Sequence, residues 1–445
     1  MRTTLALWAL LLASGNLFAQ NKAQFTLNEA KDYALNNNYS VKNAYLDVEI
    51  ARKQSLEATS QGLPQVSING SFSNFINLPV QVVGANFINP NAPEGETISF
   101  RAGTDYTATG TLNASQLLFN GSYIVGLQVA KFFINYSETA VKLSQEDVLF
   151  NVIQAYQIAA VGKENLQFVD SMVLVTQKLV DEQKNYLELG LLDQETLDQL
   201  EYSVLTARNA QTSAKIQYNN ALTLLKLTMG YPIGDELELL EGTADLLTKA
   251  SLKESINGGI QNNLSLELMQ KQKVLSEYNL KNYKFSQYPT LSANFQHAYN
   301  AYRNDFNFFA NKPWYPQTMW GLNLSIPIVS GGQKYAQIQQ AKIKVMKDEN
   351  NIKQLEQSLL MQEIQFQNNL LGAEQILELQ EKNIELASKI YTNAIVKKDI
   401  GKVNSLEVTQ KYNQLITAQS QYVGSLIEVF KAKLDIDKLY NQLLK

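Results

Sequence analysis

The chain is written twice. "TLNEAKDYALNNNYSV", from Thr26, is matched by "SLKESINGGIQNNLSL", from Ser251, so that Leu27 falls on Leu252, Glu29 on Glu254, Asn38 on Asn263 and Ser40 on Ser265, all at an offset of 225. Pro64 in "LPQVSINGSF" falls on Pro289 in "YPTLSANFQ" at the same offset. Further along the offset becomes 211. "FNGSYIVGLQVAK" meets "SGGQKYAQIQQAK", pairing Gly121 with Gly332, Ala130 with Ala341 and Lys131 with Lys342; "ELGLLDQETLDQL" meets "DIGKVNSLEVTQK", pairing Gly190 with Gly401 and Leu197 with Val408. Repeated order with a single change of offset is the signature of a tandem duplication. It also localises a 14-residue excess between Pro64 and Gly121.

Each half reads as short helix, helix, two strands, very long helix, long helix. The periodicity predicts helices near 27–37 and 41–61, strands near 65–76 and 104–116, then helices near 121–187 and 193–229. The second half predicts helices near 251–262 and 266–286, strands near 290–302 and 317–326, then helices near 332–397 and 403–443. The expected division is therefore a first repeat over 21–229, a connector over 230–250 and a second repeat over 251–445. Leu197, Leu200, Val204, Ala207, Ala214, Ala221 and Leu225 follow 3-and-4 spacing, the seam of a coiled coil. A helix over 121–187 is ~100 Å long at 1.5 Å per residue, which makes it a rod rather than a core element.

The strands alternate strictly. Leu291, Ala293, Phe295 and Tyr299 interleave with Ser292, Asn294, Gln296 and Asn300; Trp320, Leu322, Leu324 and Ile326 interleave with Gly321, Asn323 and Ser325. Each strand has one apolar face and one uncharged polar face. Such a pattern suits a half-buried antiparallel sheet, but the length also matches the ~9–11 residues of a membrane-spanning strand. Aromatic residues gather around the strands (Phe72, Phe75, Tyr302, Phe306, Trp314 and Tyr315 among them), as in an interfacial belt. Four strands cannot close a barrel, and an open edge cannot face lipid. Several chains must then pool their strands. In "LNLSIPIVSGGQKYAQIQQAKIKV", residues 322–345, the period changes from two to helical across Pro327 and Gly331-Gly332, so a strand is expected to pass almost directly into a rod. Gln116 to Gly121 is expected to do the same in the first half.

The chain opens with MRTTLALWALLLASGNLFAQ, which has the anatomy of a secretory signal peptide over residues 1–20. No later stretch reaches the ~18 apolar residues of a spanning helix. There are no cysteines, hence neither disulfides nor a lipid-attachment site. Without Arg2 the chain carries 37 basic against 42 acidic residues, which does not suit a nucleic-acid binder. With one histidine, His297, and no cysteine, a zinc cluster and a thiol nucleophile are excluded, and no nucleotide-binding or hydrolase motif is present. His297 falls on the apolar face of its strand and reads as structural. Neither enzyme activity nor a cofactor is expected.

The duplicated helix–strand–strand–helix order, Pro64 and Pro289 before the first strand of each half, the glycine-rich joints at Gly121 and at Pro327, Gly331 and Gly332, and "LGLLDQETL" and "IGKVNSLEV" at the turns together resemble the TolC-like outer membrane factors. These are the exit ducts of tripartite efflux pumps and type I secretion systems. The resemblance implies an α+β membrane protein: a homotrimer whose four strands per chain form one 12-stranded transmembrane β-barrel in outer membrane lipid, above an α-helical coiled-coil tunnel through the periplasm. It implies a Gram-negative outer membrane location, and a periplasmic adaptor protein and an inner-membrane pump as partners. Their docking is expected at the helix turns, Gly190, Leu191 and Leu192 with Gly401, Lys402 and Val403. An acid of the family's constriction matches Glu407, while its neighbouring acid matches Gln410. The family's basic gate residue corresponds to Val403 and its gate tyrosine to Lys398, departures that put the family's salt-bridge gating pattern in doubt here. The competing reading is a soluble periplasmic coiled-coil scaffold or pump adaptor, which would share the heptads but would not need strands with lipid-like faces.

Overall fold

The computed structural model of this 445-residue chain describes residues 23–250 and 258–444. The expected signal peptide, and residues 251–257 of the helix expected over 251–262, lie outside the described residues. In chain order the elements are β1 (Ala23–Phe25), α1 (Leu27–Asn37), α2 (Tyr39–Ser60), β2 (Gln65–Asn74), β3 (Val80–Gly84), β4 (Thr97–Arg101), β5 (Tyr106–Asn120), α3 (Gly121–Glu188), α4 (Gln194–Met229), β6 (Leu237–Leu239), α5 (Thr243–Ala250), α6 (Leu264–Phe285), β7 (Thr290–Arg303), β8 (Tyr315–Ser325), α7 (Gln333–Asp399) and α8 (Ser405–Leu439). Both α2 and α6 have 22 residues, and they begin 225 positions apart. The long helices α3 and α7 have 68 and 67 residues, and α4 and α8 begin 211 positions apart. The offsets of the sequence echo are thus the offsets of the elements.

Two compact units are formed. The first comprises the described residues up to Val48, Tyr136–Lys271 and the chain from Asn350 onward. Its core is helical. All seven residues of the 3-and-4 seam on α4 are buried; Leu197, Leu200, Val204 and Ala207 pack with Val180, Tyr391, Val408, Tyr412 and Leu415 near the helix turns. A second cluster gathers Ala30, Val152, Tyr156, Leu225, Met229 and Phe430. Into it fits a two-stranded parallel ribbon of β1 and β6, with Phe25 opposite Leu239. Buried Tyr156 ties this ribbon down by donating to the carbonyl of Phe25 at 2.9 Å and accepting from the amide of Glu241 at 3.3 Å. The helix α1 starts at Thr26, whose hydroxyl caps the amide of Glu29 while the Glu29 carboxylate accepts from Thr26. That reciprocal arrangement satisfies two otherwise orphaned donors.

The echoed asparagines explain themselves here. Asn38 accepts from the amide of Ser40 at 2.7 Å and donates to the carbonyl of Thr228, near the end of α4, at 2.7 Å. Asn263 accepts from Ser265 and Leu266 and donates to the carbonyl of Leu439, the last residue of α8, at 3.1 Å. An amide is needed because one group must cap a helix start and satisfy a helix end at once. The segment 230–250, expected only as a connector, contains β6 and α5. Of the helix expected over 251–262, the described part contains one 3-10 turn, Ile260–Asn262.

The second unit, Glu49–Asn135 with Gln272–Glu349, holds a four-stranded antiparallel sheet in the order β2-β5-β7-β8. A separate pair, β3 and β4, prolongs the β2–β5 hairpin; it occupies the stretch of the 14-residue excess and was not expected. Its residues are mostly exposed on both faces, so there is no one-sided burial to impose the alternation by which strands are read.

Candidate functional site

The sheet register decides what the strands can do. Residues that pair directly share a face. The row Ile68–Leu112–His297–Thr318 lies between the row Val66–Ala114–Phe295–Trp320 and the row Gly70–Gly110–Tyr299–Pro316. On the strands nearest α7, Leu322 faces Ala293 and Leu324 faces Leu291. The apolar side chains of all four strands therefore merge into one surface, and it is uncovered: Ile68 is 80% exposed, Trp320 77% and Leu322 61%. The opposite surface carries Ser67–Asn113–Gln296 and Thr109–Asn300, the last pair joined by a 3.0 Å hydrogen bond. A contiguous apolar surface of this extent is not left to water. The outer edges, β2 and β8, have no partner strand within the described residues, leaving rows of unpaired backbone groups.

His297 sits in the middle row of the apolar face, with its Nδ1 2.7 Å from the Thr318 hydroxyl and its ring edge-on to Tyr299. This agrees with a structural role. At the end of the sheet away from the helices, Phe72, Tyr106, Phe306 and Phe308 pack edge to face. Arg303 lies against them, 6.0 Å from the Phe308 ring, and donates to the carbonyls of Tyr302 and Pro313.

The two strand-to-helix joints are built differently. Strand β5 ends at Asn120 and α3 begins at Gly121 with nothing between them. Gly121 is required by closeness: a Cβ there would stand 2.5 Å from the carbonyl oxygen of Phe285 at the end of α6. At the second joint seven residues, 326–332, intervene, and Gly331 and Gly332 adopt φ of +56° and +83°, a region that only glycine enters freely. The passage through Pro327 is thus a short loop rather than a direct junction. Pro64 and Pro289 stand immediately before β2 and β7, where a residue without an amide N–H costs no ladder bond.

The helix turns are near-identical copies. Gly190 at φ +71° donates to the carbonyl of Leu187 at 2.9 Å, and Leu191 donates to Tyr186 at 2.8 Å. Gly401 at φ +72° donates to Lys398 at 2.9 Å, and Lys402 to Lys397 at 2.9 Å. Both are left-handed C-caps closed by a six-to-one bond. The following helices are capped by Asp193, which accepts from the Thr196 amide at 2.7 Å, and Asn404, which accepts from the Glu407 amide at 2.9 Å. That contact holds the Asp193 carboxyl below the usual carboxylate range. Leu191, Lys402, Glu407 and Gln410 are exposed, while Leu192 and Val403 are half-buried against the cluster beneath. Glu407 lies in the first turn of α8, where the helix dipole favours an acid whatever its further role.

Among the described residues no group of His, Cys, Asp or Glu could hold a metal ion, and no helix is long and apolar enough to cross a membrane. The described chain thus combines an exposed two-faced sheet with open edges and two helices of nearly seventy residues. Residues 256–441 match the family profile of the outer membrane efflux proteins. Among solved structures, CusC is 17% identical at a TM-score of 0.73, covering 96% of this chain and 93% of that one. The Campylobacter jejuni CmeC outer membrane channel is 17% identical at 0.71, over 93% and 85%. The outer membrane protein VceC from Vibrio cholerae is 15% identical at 0.68, over 93% and 95%. A search of the curated proteins found no match. The profile match thus lies within the second half of the chain, while the likeness to these solved structures is one of fold and runs over nearly its whole length.

Proposed function

We propose that the chain is one of three identical protomers of an outer membrane channel-tunnel, a passive exit duct for cargo driven by an inner-membrane pump through a periplasmic adaptor. The observation that carries this is the sheet: one continuous uncovered apolar face, one polar face and two open edges. In lipid every backbone group must be paired, and the smallest membrane barrels need about eight strands. Three copies supply twelve. The apolar face then meets lipid and the polar face lines the lumen, while the tandem repeats supply the helices of the tunnel. On this reading the turns around Gly190–Leu192 and Gly401–Val403 form the periplasmic end and the place where partners dock.

Two neighbouring substitutions test the proposal. Asp at Leu322 places a charge on the lipid face, at a cost of up to a few kcal/mol near mid-membrane, and should abolish oligomers in the membrane fraction. Asp at Asn323, on the lumen face, should leave their yield within about twofold of wild type. Equal responses would overturn the assignment of the two faces, and a stable folded monomer in detergent would overturn the shared barrel.

A further inference from the structure

We infer that the barrel section of this duct is charge-blind: it passes cargo of either sign without sorting it. The inference rests on the barrel reading above and concerns what the lumen face can do. Among the described residues of the four strands, that face holds no Asp, Glu, Lys, Arg or His. Its rows read Ser67–Asn113–Gln296–Met319 and Ser115–Asn294–Gly321, hydroxyls and amides relieved only by small or neutral residues. The one Asp, Glu, Lys or Arg among the paired residues of these four strands, Arg303, and the one histidine both lie on the other face, Arg303 in register with Tyr106 and His297 with Leu112.

Selectivity in a water-filled pore comes from rings of charged side chains or from oriented carbonyls at close quarters. A paired sheet spends its carbonyls on the ladder, and here the side chains add no charge. Hydroxyls and amides still hydrogen-bond to cargo, but they do so equally with donors and acceptors, so neither anions nor cations are retained. The segments that join the strands at the far end do carry charge of both signs, including Glu94, Glu96, Arg101, Asp105 and Lys312. The middle of the sheet is beyond their reach. Asn113 is eight residues from Asp105, about 26 Å at ~3.3 Å per residue, against a Debye length of about 8 Å at physiological salt. Whatever sorting by charge the duct performs must reside elsewhere along it.

The absence of cysteine makes the local potential directly measurable. Asn113→Cys is introduced into the full chain, and the purified channel is treated with cationic and anionic methanethiosulfonates of matched size. The ratio of the two modification rates, divided by their ratio for a free thiol, should lie within about threefold of one. A corrected ratio beyond tenfold in either direction would overturn the charge-blind barrel. Leu112→Cys, on the lipid face of the same strand, should resist both reagents. If instead Leu112→Cys reacts and Asn113→Cys does not, the faces are exchanged, and it is the barrel reading that fails. Asn113→Asp with a third cysteine position, Asn323→Cys, supplies the positive control. A ring of introduced carboxylates should favour the cationic reagent at least several-fold; if it leaves the ratio at one, the method does not sense lumen charge and the inference is withdrawn.

Discussion

Replacing Glu146 by Gln should stabilise the helical unit at alkaline pH and leave it unchanged in acid. Glu146 lies on α3 and is only 2% exposed, and its Oε1 has no hydrogen-bond partner. Burial pushes its carboxyl up to about 7, with the neighbouring Asp147 adding to the rise and Lys438 opposing it. The lysine is committed elsewhere: Lys438 Nζ is 2.7 Å from Asp147 Oδ1 and lies over the ring of Phe150. An acid raised in the folded state keeps its proton there after the unfolded chain has lost it. Folded protein therefore binds more protons between the unfolded value of 4.5 and about 7, and stability falls as pH rises through that window. At ~1.4 kcal/mol per unit the loss is about 3 kcal/mol at most by pH 8, and about 2 after allowance for relaxation around the charge. The neutral amide of Gln escapes it. Helix melting followed by circular dichroism in detergent should show Glu146→Gln close to wild type at about pH 4, below both values. By pH 8 it should melt roughly 4–8 °C higher, the shift about 2 kcal/mol gives in a unit of this size. A difference between the two proteins that is the same at about pH 4 and at pH 8 would refute the reasoning, since only ionisation at this position makes it pH-dependent.

Three further outcomes are expected. Gly121→Ala drives a Cβ into the Phe285 carbonyl, whereas Gly126→Ala on the same helix meets nothing within 4 Å; the first should lower oligomer yield several-fold and the second should not, as read on unheated electrophoresis. Asn38→Ala and Asn263→Ala each remove a helix cap and a long-range hydrogen bond, at a cost of about 1–3 kcal/mol. The pair should be nearly additive because the two sites share no partner, which a denaturant series on both single variants and the double would check. Glu407→Gln should reduce cation selectivity in planar bilayers without changing oligomer yield, and Glu381→Gln should do neither. Unchanged selectivity in Glu407→Gln channels would leave Glu407 as a first-turn acid serving its helix.

What could be read from residues alone was what repeats or alternates. The seam from Leu197 to Leu225 is buried in full because a two-helix contact imposes its period on sequence directly. The alternation of Leu291 to Asn300 survives as two sheet faces for the same reason. Features that depend on one distant partner left no period to find. Asn38 and Asn263 were visible as an echo, yet their task depends on carbonyls 190 and 176 positions away. Strands of three residues, β1 and β6, are too short to alternate, and β3 and β4 have no buried face to alternate against.

Glu146 is the sharpest case. In "SQEDV" Glu146 and Asp147 stand side by side on one helix. Successive residues on a helix point about 100° apart, so Asp147 reaches outward to Lys438 while Glu146 turns inward on the side of α3 that buries Leu149, three residues on. Two adjacent acids of the same chemistry thus receive opposite environments, and only the packing of α8 against α3 decides which is which. The same logic separates the two joints. A glycine can be demanded by its own dihedral angles, as at Gly331 and Gly332, or by a carbonyl from another helix, as at Gly121. The first kind tolerates any neighbour and can be moved within a loop. The second fixes α3 to α6 at one point, and so determines where the sheet ends and the helices begin.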